Sequence, residues 1–495
     1  MSHLPNFSVS TILSLTYLTL GCWEFLIPPA FAQLRPDSTL GEESSVVTPN
    51  ININGIESDR VEGGAQRGAN LFHSFEEFNI QQGRGVYFSN PDGVTNIFGR
   101  VTGNNVSNIL GTLGVLGNAN LFLLNPNGII FGAEAQLDIG GSFYGATADS
   151  VLFENGFEFA TSDPQAPPLL TVNVPIGLRL PENAGSIQVV GQGHNLSTDP
   201  NTQAIIRENR NIGLQVQPNQ TLALIGGDIS LRGGNLTAEN GRIEVGSVQS
   251  GVVGITSVGS LNYGEISTFG NLQLSQASSL DVSGENTGEV VIQGGRIEMR
   301  DGSIIVAETL GTEDGGNLII RASDSIEVVG TTGESQIFSG IVTQVAPEAV
   351  AQGSNLRIET KSLQLREGAQ FAAVSFGQGD TGDLTISATD VELIGASVDG
   401  ASSGLLTVVF PGVVGNGGDI DIDTARLRVL DGAQIFSVFL GEGNGGNIAI
   451  SATEVEVIGT DAEIVGNNDF IQRSTLLTSV LPAGIGNGGT LKIDT

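Results

Sequence analysis

The stretch GDLTISATDVELI, residues 382–394, carries the phrase on which the reading of the whole chain turns: a glycine, then aliphatic residues at alternate positions, then a second alternating pair nine residues after the start. The opening phrase recurs as GEVVI from Gly288, GNLII from Gly316, SNLRI from Ser354, GDIDI from Gly418, GNIAI from Gly446 and GTLKI from Gly489. Three of the intervals, 288 to 316, 354 to 382 and 418 to 446, are 28 residues, and the others are 38, 36 and 43. One rung of each pair is therefore constant, and the other carries a variable loop. Period-two alternation places each aliphatic pair on one face of a strand, and that face needs neighbours to cover it.

A second strand is expected from the pairs Ile297/Met299, Leu363/Leu365, Val391/Leu393, Leu427/Val429 and Val455/Val457, with the Gly316 rung slipping by one to Ile326/Val328. A third follows a shared turn in RDGSIIVAETLG (300–311), REGAQFAAVSFG (366–377) and LDGAQIFSVFLG (430–441). Strands this short do not stand alone, and stacking them one above another gives a parallel β-helix or solenoid. A β-propeller is the alternative, but its blades need roughly 40 to 50 residues each. Weaker copies, GGDISL from Gly226 and GNLQL from Gly270, extend the pattern back towards residue 220. TSDPQAPPLL (161–170) through PIGLRLPEN (175–183) marks a change of character. TLKIDT begins a new rung without a polar cap, so either the protein continues or an edge is exposed.

Composition agrees with one long all-β architecture: 70 glycines in 495 residues, 5% aromatic and 39% apolar. A formal charge of −33 repels phosphate backbones, so nucleic acid is not an expected partner. Residues 1–32 read as a secretory signal peptide: an apolar run too short for a comfortable span, closed by Ala30-Phe31-Ala32 before Gln33. No Lys or Arg lies near its start, and a lipoprotein site at Cys22 is the lesser alternative. Cleavage between Ala32 and Gln33 would remove the chain's one Cys and one Trp, leaving a mature protein without disulfides.

Motifs for chemistry are few. His73 and His194 are far apart and no cysteine remains after the leader, so zinc spacings and a cysteine nucleophile are excluded, and no cofactor is called for. GQGDTG (377–382) and GEGNGG (441–446) match G-x-G-x-x-G, but each leads into a strand. Phosphate cradling needs a helix N-terminus, so these are read as turn glycines with positive φ. Asp419, Asp421 and Asp423 alternate along GDIDIDT and share one face. They are the sharpest catalytic or calcium candidates, since carboxylates roughly 6.5–7 Å apart suit an inverting glycosidase or oxygen ligands for Ca²⁺. Sister rungs carry Asn447/Ala449/Ser451 and Asn355/Arg357/Glu359 instead, so a solvated strand face is the preferred reading and no metal is assigned.

Ahead of the repeats lie NLFHSFEEFNI (70–80), YFSNPDGVTNIFGRVTG (87–103) and NLFLLNPNGIIFG (120–132). Together they resemble the N-terminal secretion domain of filamentous haemagglutinin-family exoproteins, the cargo of two-partner secretion, over roughly residues 35–165. The resemblance implies a right-handed parallel β-helix with an N-terminal cap. It also implies export across the inner membrane and through a dedicated outer-membrane β-barrel transporter whose periplasmic domains recognise the secretion domain. Such proteins are secreted or cell-surface adhesins, here with an unknown surface ligand. The resemblance carries over to Asn125, Pro126, Asn127 and Gly128, and to Asn90, Pro91 and Gly93, as turn-forming elements of the recognised domain. In the residues themselves, Pro126 pre-sets φ, Asn127 and Gly128 tolerate the left-handed region, and the turn could close a hairpin or set the strands around it. The expected division is 1–32 leader, 33–165 secretion domain, 166–260 transitional β-helix and 261–495 repetitive β-helix. A non-enzymatic adhesin is the leading function. A polysaccharide lyase or hydrolase is the alternative, separable by whether acidic, basic and aromatic side chains converge in one groove.

Overall fold

The first aliphatic pair of each repeat and the second lie on one strand, not two. In the computed structural model, which describes residues 34–168, 174–199, 204–207, 212–256, 259–332, 337–398, 400–459 and 473–495, the long strands are Glu289–Arg300, Asn317–Val329, Asn355–Arg366, Leu384–Ile394, Ile420–Leu430 and Ile448–Ile458. The expected break is bridged because the residues between the pairs keep their ladder partners, as Ser387 does with Asp423 and Asp390 with Arg426. Neighbouring rungs are parallel and in register: Leu356, Leu384, Ile420 and Ile448 form one buried column, and Leu363, Val391 and Leu427 another, which ends on the half-buried Val455. Burying each such side chain contributes about 1.5–3 kcal/mol. The slip in the Gly316 rung is a register shift between Arg321 and Ser325, which absorbs the extra residue.

The third strands, Ile304–Thr309, Gly340–Val345, Gln370–Ser375, Gly404–Val409, Gln434–Phe439 and Thr475–Val480, make a second parallel sheet. The described residues from Leu34 to Thr495 form one compact unit, all-β and mostly parallel: a β-helix.

The glycine that opens each phrase sits where successive backbones touch. A Cβ on Gly418 would lie 2.1 Å from the Gly382 carbonyl oxygen, one on Gly446 2.0 Å from that of Gly418, and one on Gly489 1.9 Å from that of Gly446. This corrects the reading of the two G-x-G-x-x-G matches. Within them only Gly379 (φ 128°) and Gly443 (φ 149°) have positive φ; Gly377, Gly382, Gly441 and Gly446 are excluded from bearing a side chain by backbone atoms of the neighbouring rung within 2.5 Å of where a Cβ would sit, and Gly445 is tight, at 3.1 Å.

The N-terminal rungs continue the same stack. Asn70–Phe78, Asn96–Val101, Asn120–Leu124 and Phe143–Ala146 pair in parallel and lead through Thr221–Gly226 to Arg242–Ile255. After Ala146 the chain leaves the helix. Ser150–Phe153, Glu158–Ala160 and Pro175–Leu180 form an antiparallel excursion, and the last of these pairs with the far end of Arg242–Ile255. Ile187–Val190 then returns to lie directly on Ile129–Phe131. Residue 165, where the sequence suggests a boundary, falls inside this excursion. The start of the stack is covered by Leu34–Pro36, antiparallel to Asn70–Phe78, and by the antiparallel pair Ser45–Ile53 and Ile56–Gly63.

Candidate secretion-recognition site

The Asn125-Pro126-Asn127-Gly128 turn is a rung corner and closes no hairpin. The strands on either side, Asn120–Leu124 and Ile129–Phe131, do not pair with each other; each pairs in parallel with the rung before and the rung after. The chain turns there because the Asn125 carbonyl accepts the Gly128 N–H at 3.1 Å, while the Asn125 side-chain oxygen accepts the Asn127 N–H at 3.0 Å. Only Gly128 takes positive φ, at 130°; Asn127 does not, contrary to the expectation for it.

Asn125 is fully buried. Its Nδ2 donates to the Asn105 carbonyl at 2.9 Å and to Ser107 Oγ at 3.0 Å, both in the preceding rung. Asn127 Nδ2 donates to the Gly103 carbonyl at 2.8 Å. On the other side the Pro126 carbonyl accepts the Gly185 N–H at 2.9 Å, and a Cβ on Gly185 would meet the Asn127 backbone at 2.4 Å. The four residues are thus clamped between two other corners.

Asn90-Pro91-Asp92-Gly93 looks alike in sequence and behaves differently. Its closing bond runs one residue later, from the Val94 N–H to the Pro91 carbonyl at 3.1 Å, with Gly93 at φ 81°. Pro91, Asp92 and Gly93 are exposed. Only Asn90 reaches the neighbouring rung, accepting the Ala119 N–H at 3.1 Å.

Three buried residues that the sequence motifs do not flag hold this region together. Arg100 is fully buried, its guanidinium 4.2 Å from the centre of the Phe159 ring. It donates to Ser74 Oγ, Thr39 Oγ1 and the carbonyls of Ala160 and Gln165. Burial pushes its pKa down to about 10, against the pull of Asp37. Burial also pushes the Asp37 carboxyl up, but the hydroxyls of Thr102, Thr39 and Ser74 and the Thr39 N–H outweigh that and leave it below the usual range. Arg67 acts in parallel, pairing with Glu43 and donating to the carbonyls of Pro167 and Pro168. The two arginines therefore fasten the proline-rich stretch to the N-terminal cap. The third, His73, lies among Phe75 and Phe88, with its Nδ1 3.0 Å from Ser45 Oγ. Burial pushes it down to about 3, so the ring is neutral. A lone Arg or His in an alternating run carries no mark of burial in sequence.

The repeat-region carboxylates are placed otherwise. Asp419 accepts the Asn447 N–H and Nδ2 at 2.7 and 3.1 Å, one step in a ladder in which Asp383 accepts the Asp419 N–H and Asn447 accepts the Thr490 N–H. Asp421 and Asp423 are exposed on the outer strand face, in a shallow groove with Arg357, Lys492 and Asp494. Burial, then Asp419 and Asp383, push the Asp421 carboxyl up. The described lining of that groove holds no aromatic side chain. Among the described residues no three His, Cys, Asp or Glu side chains gather as for a metal ion. Ala32 and Gln33, the expected cleavage pair, lie outside the described residues.

The family model of the TPS (two-partner secretion) secretion domain matches residues 32–306, more than half of the chain. The chain belongs to that family. The Heme/hemopexin-binding protein of Haemophilus influenzae is 35% identical over 82 residues, which cover 17% of this chain and 9% of that protein's length. Among solved structures, the HMW1 secretion domain from Haemophilus influenzae is 14% identical with a TM-score of 0.42, covering 91% of this chain and 98% of that one. The filamentous hemagglutinin secretion domain is 14% identical with a TM-score of 0.35, covering 77% and 99%. Membership of that family makes the protein a two-partner-secretion exoprotein, exported to the medium or the cell surface.

Proposed function

We propose that the N-terminal rungs are read by the periplasmic recognition domains of an outer-membrane β-barrel transporter. The β-helix they lead out is, on this reading, a non-enzymatic, adhesin-like body that binds surfaces or glycans. The observation that carries the first half is an open edge. Ser45–Ile53 is the outer strand of its five-stranded sheet and, among the described residues, pairs only with Ile56–Gly63. An unpaired edge is a template for strand addition, the natural mode for a chain presented in extended form. The Asn125–Gly128 corner serves a different part: its amides are engaged internally, so it shapes the strands and leaves the contact to others.

For the second half, the support is how charge is distributed. Arg321 pairs with Glu359, Arg366 with Glu327, Arg426 with Asp390 and Arg428 with Glu392, each across successive rungs. These pairs run along the stack and do not converge on a cleft, as a carbohydrate-active site requires.

Lysine at two exposed positions of the open strand, Val46→Lys with Asn52→Lys, tests the edge. The expected outcome is a loss of at least about tenfold in secreted protein, equivalent to roughly 1.4 kcal/mol of recognition, with leader processing unchanged. Undiminished secretion would remove the edge from the account.

A further inference from the structure

The outer face of the second sheet is apolar over an unusual length. In register, Val306, Val342, Ala372, Leu406, Phe436 and Leu477 form one outward row. A second row, two residues further along each strand, begins with Glu308 and Gln344 and continues as Val374, Val408 and Val438. The opposite alternation, Ile305, Ile341, Phe371, Leu405 and Ile435, fills the core.

The chain itself shows what such a face accepts. The antiparallel pair Leu196–Thr198 and Ile205–Arg207 lies on the first of these rungs. Ile205 packs among Ile304, Val306 and Val342. Gln344 reads the Ile205 peptide group on both sides, accepting its N–H at 3.0 Å and donating to its carbonyl at 3.3 Å. Two residues on, Arg207 pairs with Glu308 and with Asp281. Ile205 thus meets the Gly340–Val345 rung while Arg207 meets the two rungs before it. The strand therefore crosses the rungs instead of running along one.

Past Gln344 the face changes. The polar residues of the second row, which hold the crossing strand, give way to Val374 and Val408, both half-buried. A cleft of about 290 Å³ opens there. Thr198 and Ile205 bound one end of it, and Phe338, Phe376 and Phe410 wall it, the last two stacked at 4.3 Å. Its described lining holds no charged side chain and only two amides, Gln344 and Gln370.

We propose that this cleft takes an extended polypeptide segment of a partner protein, with apolar side chains at alternate positions, laid across the rungs in line with the chain's own crossing strand. Continuity with that strand selects the occupant: the same two rows are used, and one of the amides at the cleft already reads a peptide group. A glycan would need several directed donors and acceptors, whereas this lining offers three hydroxyls, of Thr198, Thr331 and Ser397, and two amides already bonded within the chain, Gln344 to Ile205 and Glu308 and Gln370 to the Ser402 carbonyl. The inference rests on the reading of the exported β-helix as a binding body and names the class of partner and the place.

The test is to pan a library of random dodecapeptides on the purified exported protein. Recovered peptides are then measured against wild type, Val374→Lys/Val408→Lys and Ala401→Trp. Both valines point outward, and Ala401 lies at the exposed rim, so the tryptophan fills the cleft without placing a charge in it. The expected result is peptides with apolar residues at alternate positions whose affinity falls at least about tenfold in both variants. Peptides that bind all three proteins alike, or no enrichment at all, would overturn the proposal. So would retention of a fluorescent fatty acid in place of peptide. Glycan-array binding unchanged in both variants, with no peptide bound, would remove the cleft and leave the adhesin reading standing.

Discussion

A single outward column of the long sheet runs through the molecule and changes its chemistry on the way. In the N-terminal rungs it reads Phe72, Phe98, Phe122 and Tyr144. In the repeats the same column, followed rung by rung, reads Arg357, Thr385, Asp421 and Ala449. The aromatic part is stacked at centroid spacings of 5.3, 4.7 and 4.3 Å and covered by Phe153 and Phe159 of the antiparallel excursion. The polar part is an open strand face. The backbone is the same in both. What differs is that an N-terminal rung needs a segment many residues away to finish its burial, whereas a repeat rung needs only its two neighbours. The first region is therefore bound to fold as one piece, and the second behaves as a sum of rungs.

The largest way to break this contrast is at Arg100, which joins the cap, the first rungs and the excursion. Arg100→Met leaves Asp37 and two backbone carbonyls without their cation and is expected to lower stability by about 3–5 kcal/mol, read as a fall in the urea midpoint. Replacing an exposed repeat-region arginine such as Arg426, paired with Asp390 at 2.8 Å, by alanine should leave the midpoint almost unmoved, because solvent screens the pair. Equal costs would dissolve the distinction.

Next in size is the corner. Asn125→Ala removes the two donor bonds to the preceding rung and the acceptor that folds the turn, and is expected to cost roughly 1–3 kcal/mol. Pro91→Ala, at an exposed tip, should change the midpoint little. If the two variants are equally stable, the buried and exposed turns are not the different devices described above.

The smallest and most selective effect is titration. His73 has its folded pKa depressed to about 3 from an ordinary 6.5. Below pH 6.5 the unfolded chain binds a proton that the folded chain refuses, so this contribution to stability is present above that pH and lost as pH falls. The slope is about 1.4 kcal/mol per pH unit. Burial depresses His194 as well, which adds in the same direction. Between pH 6.5 and 5, His73→Phe should remove the His73 share of that slope and leave the His194 share. An unchanged slope would mean that His73 is not the group that titrates.

How much of this the sequence shows follows from the same contrast. The repeat rungs declare themselves because Gly382, Gly418 and Gly446 each open an identical alternation, and an in-register stack makes identical demands on each copy. The N-terminal region shows its motifs but not its packing. Phe72, Phe98 and Phe122 sit in phrases that alternate like any half-exposed strand, and nothing local reveals that residues 150–180 return to cover them. The hairpin reading of Asn125–Gly128 failed for a related reason: a corner and a reversal use the same turn residues, and only the partners of the flanking strands separate them. The fixed glycines were recognised, but their cause is contact between stacked backbones, which a single-chain view of φ does not contain.

The central claim is that export information lies in the cooperative N-terminal rungs while the repeats are interchangeable. It is tested most directly by quantifying secreted protein, in the presence of the transporter, from a chain lacking residues 120–132 and from one lacking the rung pair 354–417. The second deletion joins two equivalent rung starts, so that Asp419 takes the register of Asn355 against Asn317. Secretion close to wild type from the 354–417 deletion and none from the 120–132 deletion is the predicted result. Equal secretion from the two would contradict the account.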